Sequence, residues 1–171
     1  MPTEEGSWVV LELSPQGERL ASGGDLRGVL QSLLGSEWDD DLFFIPYTPV
    51  KSSNSQFVLN VIEGYIFVSS SLIEECLSAV VGSPFISGTI PYSSGGYGTV
   101  ADSSVESLKE KLGEMVSTQL SEGQKVKVSG GPLSGLEGVV ILKGDRHSHV
   151  KVCLRSLEAV RVFENYILEP V

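Results

Sequence analysis

Cysteine is scarce in this chain: 171 residues contain two, Cys76 and Cys153. Neither sits in a Cys-x-x-Cys pair or beside metal-ligating neighbours. That excludes a disulfide framework and leaves both as small core residues of a protein in a reducing compartment. Long apolar runs are also missing. No stretch approaches the ~20 residues a membrane-spanning helix needs. The first residues, Met1-Pro2-Thr3-Glu4-Glu5, are acidic and lack the basic and apolar segments of a signal peptide. A cytoplasmic location without membrane attachment is the expectation.

Catalytic patterns are absent as well. There is no Gly-x-Ser-x-Gly elbow and no His-Glu-x-x-His helix. Gly95-Gly96-Tyr97-Gly98 has no following lysine and no strand-to-helix setting, so it reads as a loop and not a phosphate cradle. His147-Ser148-His149 would put two imidazoles on one strand face, but no third ligand lies nearby in sequence. Asp39-Asp40-Asp41 points three adjacent carboxylates in different directions, the usual picture of a solvated run. An enzyme is not expected, nor a catalytic residue, a cofactor or a metal.

Basic residues are few and unevenly placed. Residues 1–120 hold five Lys/Arg against sixteen Asp/Glu, net −11; residues 121–171 hold seven against six, net +1, within a total of −10. The acidic part repels phosphate, which argues against strong non-specific nucleic-acid binding there. Solubility alone is a sufficient reason for such acidity.

Two segments are present, with a polar stretch between them at 117–122. The first opens with a strand, Trp8-Val9-Val10-Leu11-Glu12-Leu13. Leu26, Val29, Leu30, Leu33 and Leu34 then follow a helical period, stopped by Gly35 in a left-handed turn. Leu42 to Pro46 reads as a second strand, Val50 to Gln56 as a hairpin loop, and Phe57 to Val68 as a third strand. Ser71-x-x-Glu74 and Ser103-x-x-Glu106 have capping-box spacing before two further helices. Phe85-Ile86 suggests a short strand, and Gly88 to Gly98 a loop. The order β-α-β-β-α-β-α predicts an α+β domain over residues 1–116, an antiparallel sheet with helices on one face.

The second segment, 123–171, shows only strand patterns. Val126/Val128, Val139 to Leu142, Val150/Val152/Leu154, Val160/Val162 and Ile167/Leu168 give five short strands separated by turns such as Gly144-Asp145. A small five-stranded β-barrel would remove the edges of so small a sheet. Gly130-Gly131 permits positive φ, and Gly138 permits a bulge or close backbone approach.

Gly123-Gln124-Lys125-Val126-Lys127-Val128, followed by Ser129-Gly130-Gly131-Pro132-Leu133-Ser134-Gly135-Leu136-Glu137-Gly138-Val139-Val140, resembles the KOW motif. Together with Trp8-Val9-Val10 and Gly64-Tyr65-Ile66-Phe67-Val68, it makes the chain resemble NusG and its specialised paralogues such as RfaH, over roughly residues 7–170. The resemblance implies a transcription elongation or antitermination factor. Its N-terminal domain would grip the clamp helices of the largest subunit of RNA polymerase. Its KOW barrel would recruit a partner, such as Rho or a small-subunit ribosomal protein.

On that resemblance the polymerase-binding residues are Trp8, Tyr65, Phe67 and Phe85, and the KOW partner-binding residues are Leu133 and Leu136. Strand geometry places Tyr65 and Phe67 on one face. Core filling is the structural alternative for each ring, and an inward fold the alternative for each leucine. Glu63 in place of a proline, Ser22-Gly23-Gly24 across the first helix, and Leu133 where an aromatic is frequent describe a divergent paralogue. A second reading is a ribosome- or RNA-associated KOW module, with Lys125, Lys127, Lys143, Arg146 and Lys151 as its basic face. A monomer is expected in either case.

Overall fold

The computed structural model describes residues 6–51, 56–90 and 98–171. They form two compact units: residues up to Pro46 with Ile62–Leu108, and Tyr47–Val61 with Lys109–Val171.

In the first unit, β1 (Ser7–Leu13) is followed by two helices, α1 (Pro15–Ser22) and α2 (Leu26–Leu34). Ser14 starts α1: its Oγ accepts from Gly17 N at 3.1 Å, and Pro15 supplies a pre-set φ at the first helical position. Gly24, at φ 79°, ends it. The apolar period read from Leu26 onward is α2, which buries Leu26, Leu30 and Leu34 and stops at Gly35, φ 56°. Then come β2 (Phe43–Phe44), β5 (Tyr65–Ser69), α3 (Glu74–Val81), β6 (Ile86–Thr89), β7 (Thr99–Ala101) and α4 (Asp102–Ser117). The intervening strands β3 (Tyr47–Lys51) and β4 (Gln56–Asn60) belong to the second unit.

The first sheet runs β2-β5-β1-β6, with β7 also on β1. Every described pairing in it is antiparallel. Trp8, Val9, Val10 and Leu11 are buried in succession. Successive residues of a strand point to opposite faces, so the central strand is covered on both faces and not on one.

Four local expectations change. The continuous strand expected over 57–68 is two strands in different sheets, β4 and β5, separated by a bend in which Gly64 takes φ 86°. Tyr47–Lys51 is a strand despite Pro49, and forms a two-stranded ribbon with β4. No capping box forms at Ser71: the residue before α3 is Ile73, without a side-chain cap, because Ser69 organises the turn instead. Ser69 Oγ accepts from Ser71 N and its carbonyl from Leu72 N. Ser103 lies inside α4, which starts at Asp102 with its N–H donated to Gly6 O. Of the loop expected over 88–98, residues 91–97 lie outside the described residues, as do residues 52–55 of the expected hairpin loop.

The second unit holds β8 (Lys125–Val128), β9 (Glu137–Lys143), β10 (His147–Leu154), β11 (Leu157–Glu164) and β12 (Leu168–Pro170). They make one antiparallel sheet in the order β11-β10-β9-β8-β12. Among the described residues no pairing joins β11 to β12, so the path is open and not a closed barrel. Its inner face packs Val126, Val128, Val140, Val150, Val152, Phe163 and Leu168. Gly138 has the close approach foreseen for it. A Cβ there would lie 2.7 Å from Lys151 O and 2.6 Å from a Val150 methyl.

Candidate interaction surfaces

The register of β1 against β5 pairs Trp8 with Ser69, Val10 with Phe67 and Glu12 with Tyr65. Directly opposed residues share a sheet face, so Trp8, Tyr65 and Phe67 lie on one face, with Phe44 opposite Phe67 on β2. This face is largely internal. Phe67 is 4% exposed and its ring lies 5.9 Å from that of Phe44. Trp8 is buried, and its indole N–H donates to Asp102 Oδ1 at 2.8 Å, tying the first strand to the start of α4. Fully burying one such ring stabilises by about 1.5–3 kcal/mol. Tyr65 is half-buried at the end of the row, beside the exposed Glu12. Phe85 is half-buried and outside the strands. Its carbonyl accepts from Ser14 N and closes on Gly17, where no Cβ would fit. The structure thus brings three of the four aromatic candidates onto one face and leaves Tyr65 the most accessible of those three.

Leu133 and Leu136 sit in a tight loop. Gly131 and Gly135 take φ 78° and 91°, which a side chain resists. Ser134 N donates to Gly131 O, Leu136 N to Leu133 O, and Gly135 N to Val128 O. The loop turns Leu133 inward against the sheet's core, while Leu136 is half-exposed.

Most of the basic candidates are engaged. Lys125 Nζ is 3.0 Å from Glu137, Lys151 Nζ 3.0 Å from Glu158, and Arg146 Nη1 2.8 Å from Glu110. Lys127 and Lys143 are exposed. Such exposed pairs contribute only about 0–1 kcal/mol each. They nonetheless neutralise the charge a phosphate backbone would seek.

The sequence reading missed an apolar outer face on this sheet. Register rows place Val139, Lys151 and Val160 side by side, and Leu142, His149 and Val162 likewise. Val160 is 50% exposed and Val162 56%, with Ile141 and Leu142 also exposed. On β11 the buried residue is Phe163, in the opposite phase from the two valines. That ring, one residue after Val162, was the signal for the true phase.

The set-aside motifs have local partners. Asp40 accepts from Arg27 Nη1 and from Trp38 Nε1, each at 2.9 Å. Asp39 Oδ1 accepts from Asp41 N. His147 Nε2 is 3.9 Å from Glu164 Oε1. Among the described residues no group of three or more potential metal ligands comes together. No described helix is long and apolar enough to cross a membrane. Cys153 is exposed, whereas Cys76 is buried, and desolvation pushes its thiol pKa up, with the charges of Glu37 and Glu75 adding to the rise.

No family model matches the chain and no curated protein does. Among solved structures, the chain is similar to Thermotoga maritima NusG at 18% identity, covering 98% of each chain, with a TM-score of 0.35. It is also similar to a chain of the MjSpt4:Spt5 complex in conformations A and B. Identity is 16% in both, with coverage of 96% of this chain and TM-scores of 0.32 and 0.31. The coverage of those chains is 97% and 96%. These likenesses extend over nearly the whole chain.

Proposed function

We propose that this protein is a transcription elongation factor of the NusG kind, a binding protein whose two parts engage different partners. The first part binds RNA polymerase at the clamp helices of its largest subunit. The second, a KOW-type module, docks a further protein. The observation that carries the proposal is the apolar outer face of the second sheet. Val139, Ile141, Leu142, Val160 and Val162 remain exposed on a sheet whose inner face is already filled. A small sheet with apolar residues on both faces is suited to docking. The motif resemblance supplies the identity of the system.

A factor of this kind acts by binding one state better than another. Contact with the clamp shifts the enzyme toward its elongating conformation by the difference in affinity for the two states. On the β1–β5 face Tyr65 is the half-buried ring that such a contact would use, while Trp8 and Phe67 are buried in the same row.

Retention on immobilised core RNA polymerase tests the reading. The wild type is expected to bind and Tyr65→Ala to bind at least tenfold more weakly, the loss typical of an interface anchor at about 1.4 kcal/mol or more. Failure of the wild type to bind, where a known elongation factor is retained, would sink the proposal.

A further inference from the structure

The hairpin of β10 and β11 turns through Arg155 and Ser156. Their φ values of 49° and 70° make a two-residue type I′ loop between the paired Leu154 and Leu157. In such a hairpin the closing pair exchanges both backbone hydrogen bonds, and bonded and non-bonded pairs then alternate. The ladder runs without a bulge to His147 and Glu164. Leu157, Ala159, Arg161 and Phe163 therefore turn their N–H and C=O groups to β10. Glu158, Val160 and Val162 turn theirs to the outer edge of the sheet.

That edge is open. β11 ends the strand order, and among the described residues the backbone of 158–162 makes no hydrogen bond outside the β10–β11 ladder. The devices that usually guard an edge are few here. The strand is eight residues long, holds no proline, glycine or lysine, and leaves Leu157 73% exposed. Its single cation, Arg161, stands opposite Val150 and is exposed. Among the described residues neither Arg155 nor Arg161 has an ion pair.

We propose that β11 pairs antiparallel with β11 of a second copy of this chain, across a two-fold axis at Val160, in place of the monomer expected from the sequence. Such an axis keeps both outer faces on one side, so opposed residues must share a phase. Centring on Val160 sets Glu158 against Val162, Ala159 against Arg161 and Leu157 against Phe163. The outward groups of 158, 160 and 162 then meet their counterparts. Centring on Arg161 would oppose that cation to itself and Glu158 to Glu164, and like charges directly opposed are destabilising. Centring on Ala159 would leave Val162 against the turn residue Ser156.

The Val160 register also brings Arg155, at the hairpin tip, beside Glu164 of the second copy, twice by symmetry. The outer row Lys125, Val139, Lys151, Val160 runs on into the same row of the second copy. Two small apolar faces become one. The inference uses the second sheet alone and stands whether or not the protein binds polymerase.

Light scattering on the full chain tests it. Stable interfaces begin at about 1,200 Å², more than one strand edge supplies, so the dimer is expected to dissociate on dilution. The mass should climb from 18.3 kDa toward twice that between micromolar and millimolar protein. Val160→Pro removes an outward N–H and no ladder bond, so it should abolish the rise and leave the melting temperature near that of the wild type. A wild type that stays monomeric over that range overturns the proposal, as does a folded Val160→Pro variant that still dimerises. Should Val160→Pro lose the sheet, crosslinking in a Cys153→Ser background decides. The Cα atoms of a bonded pair lie about 5.5 Å apart, so diamide should couple Val160→Cys on the order of tenfold faster than Val162→Cys. Equal rates overturn the pairing.

Discussion

The two sheets of this protein spend their apolar residues differently. In the first, β1 is buried on both faces, and the aromatic rings of Trp8, Phe44 and Phe67 are internal. In the second, one face of β10 and β11 packs a core while the other leaves valines in solvent beside ion-paired lysines. Aromatic residues in a strand are therefore no guide to a surface until the other face is known. Here two of the four aromatic candidates, Trp8 and Phe67, are buried, two are half-buried, and the exposed apolar residues of the second sheet are plain aliphatics.

The contrast breaks most visibly at Phe67. Phe67→Ala should destabilise the first unit by about 3–5 kcal/mol, because it opens a cavity beside Phe44 that the sheet cannot collapse around. Urea unfolding followed by tryptophan emission measures it, since both tryptophans lie in the first unit. A loss below about 1 kcal/mol would mean that Phe67 is more exposed than its packing implies.

Gly138→Ala is next. The added methyl meets Lys151 O and the Val150 and Val152 methyls inside van der Waals distance. It should cost the second unit about 1–3 kcal/mol, the range for an overpacked site. The circular dichroism melt of the variant checks this, and an unchanged melt would show that β9 and β10 are not held so close.

The smallest effect sharpens the comparison most. Val160→Thr and Val162→Thr should each change stability by no more than about 0.5 kcal/mol, because neither side chain fills the core. The same changes should weaken capture of whatever docks on the outer face. Val150→Thr, one strand away but pointing inward, is expected to do the reverse, destabilising by about 1–3 kcal/mol through a buried hydroxyl. Equal destabilisation by Val150→Thr and Val162→Thr would erase the distinction between the faces.

Much of the fold was readable from local signals. The five strands of 123–171 followed from their turn residues, and α2 from its apolar period, because glycine and a 3.6-residue repeat act within a few residues of themselves. The break at Gly24 was readable, but α1 was not. Its cap, Ser14, and its buried Gly17 make sense only once Phe85 arrives from the far end of the unit. The two capping boxes failed for a related reason. Ser69 and Asp102 already had partners, and the serines three residues before each glutamate were not needed.

The candidate surfaces divide in the same way. Alternation alone placed Tyr65 and Phe67 on a common face, since that follows from the pleat of one strand. Whether that face met solvent depended on β2 and α4, brought to it from elsewhere in the chain. Alternation likewise made Val160 and Val162 a pair, but their direction was set by Phe163 entering the core. Strand periodicity carries a period of two and no sign. The sign comes from the packing of residues distant in sequence, and with it the difference between an anchor that binds and a ring that only fills.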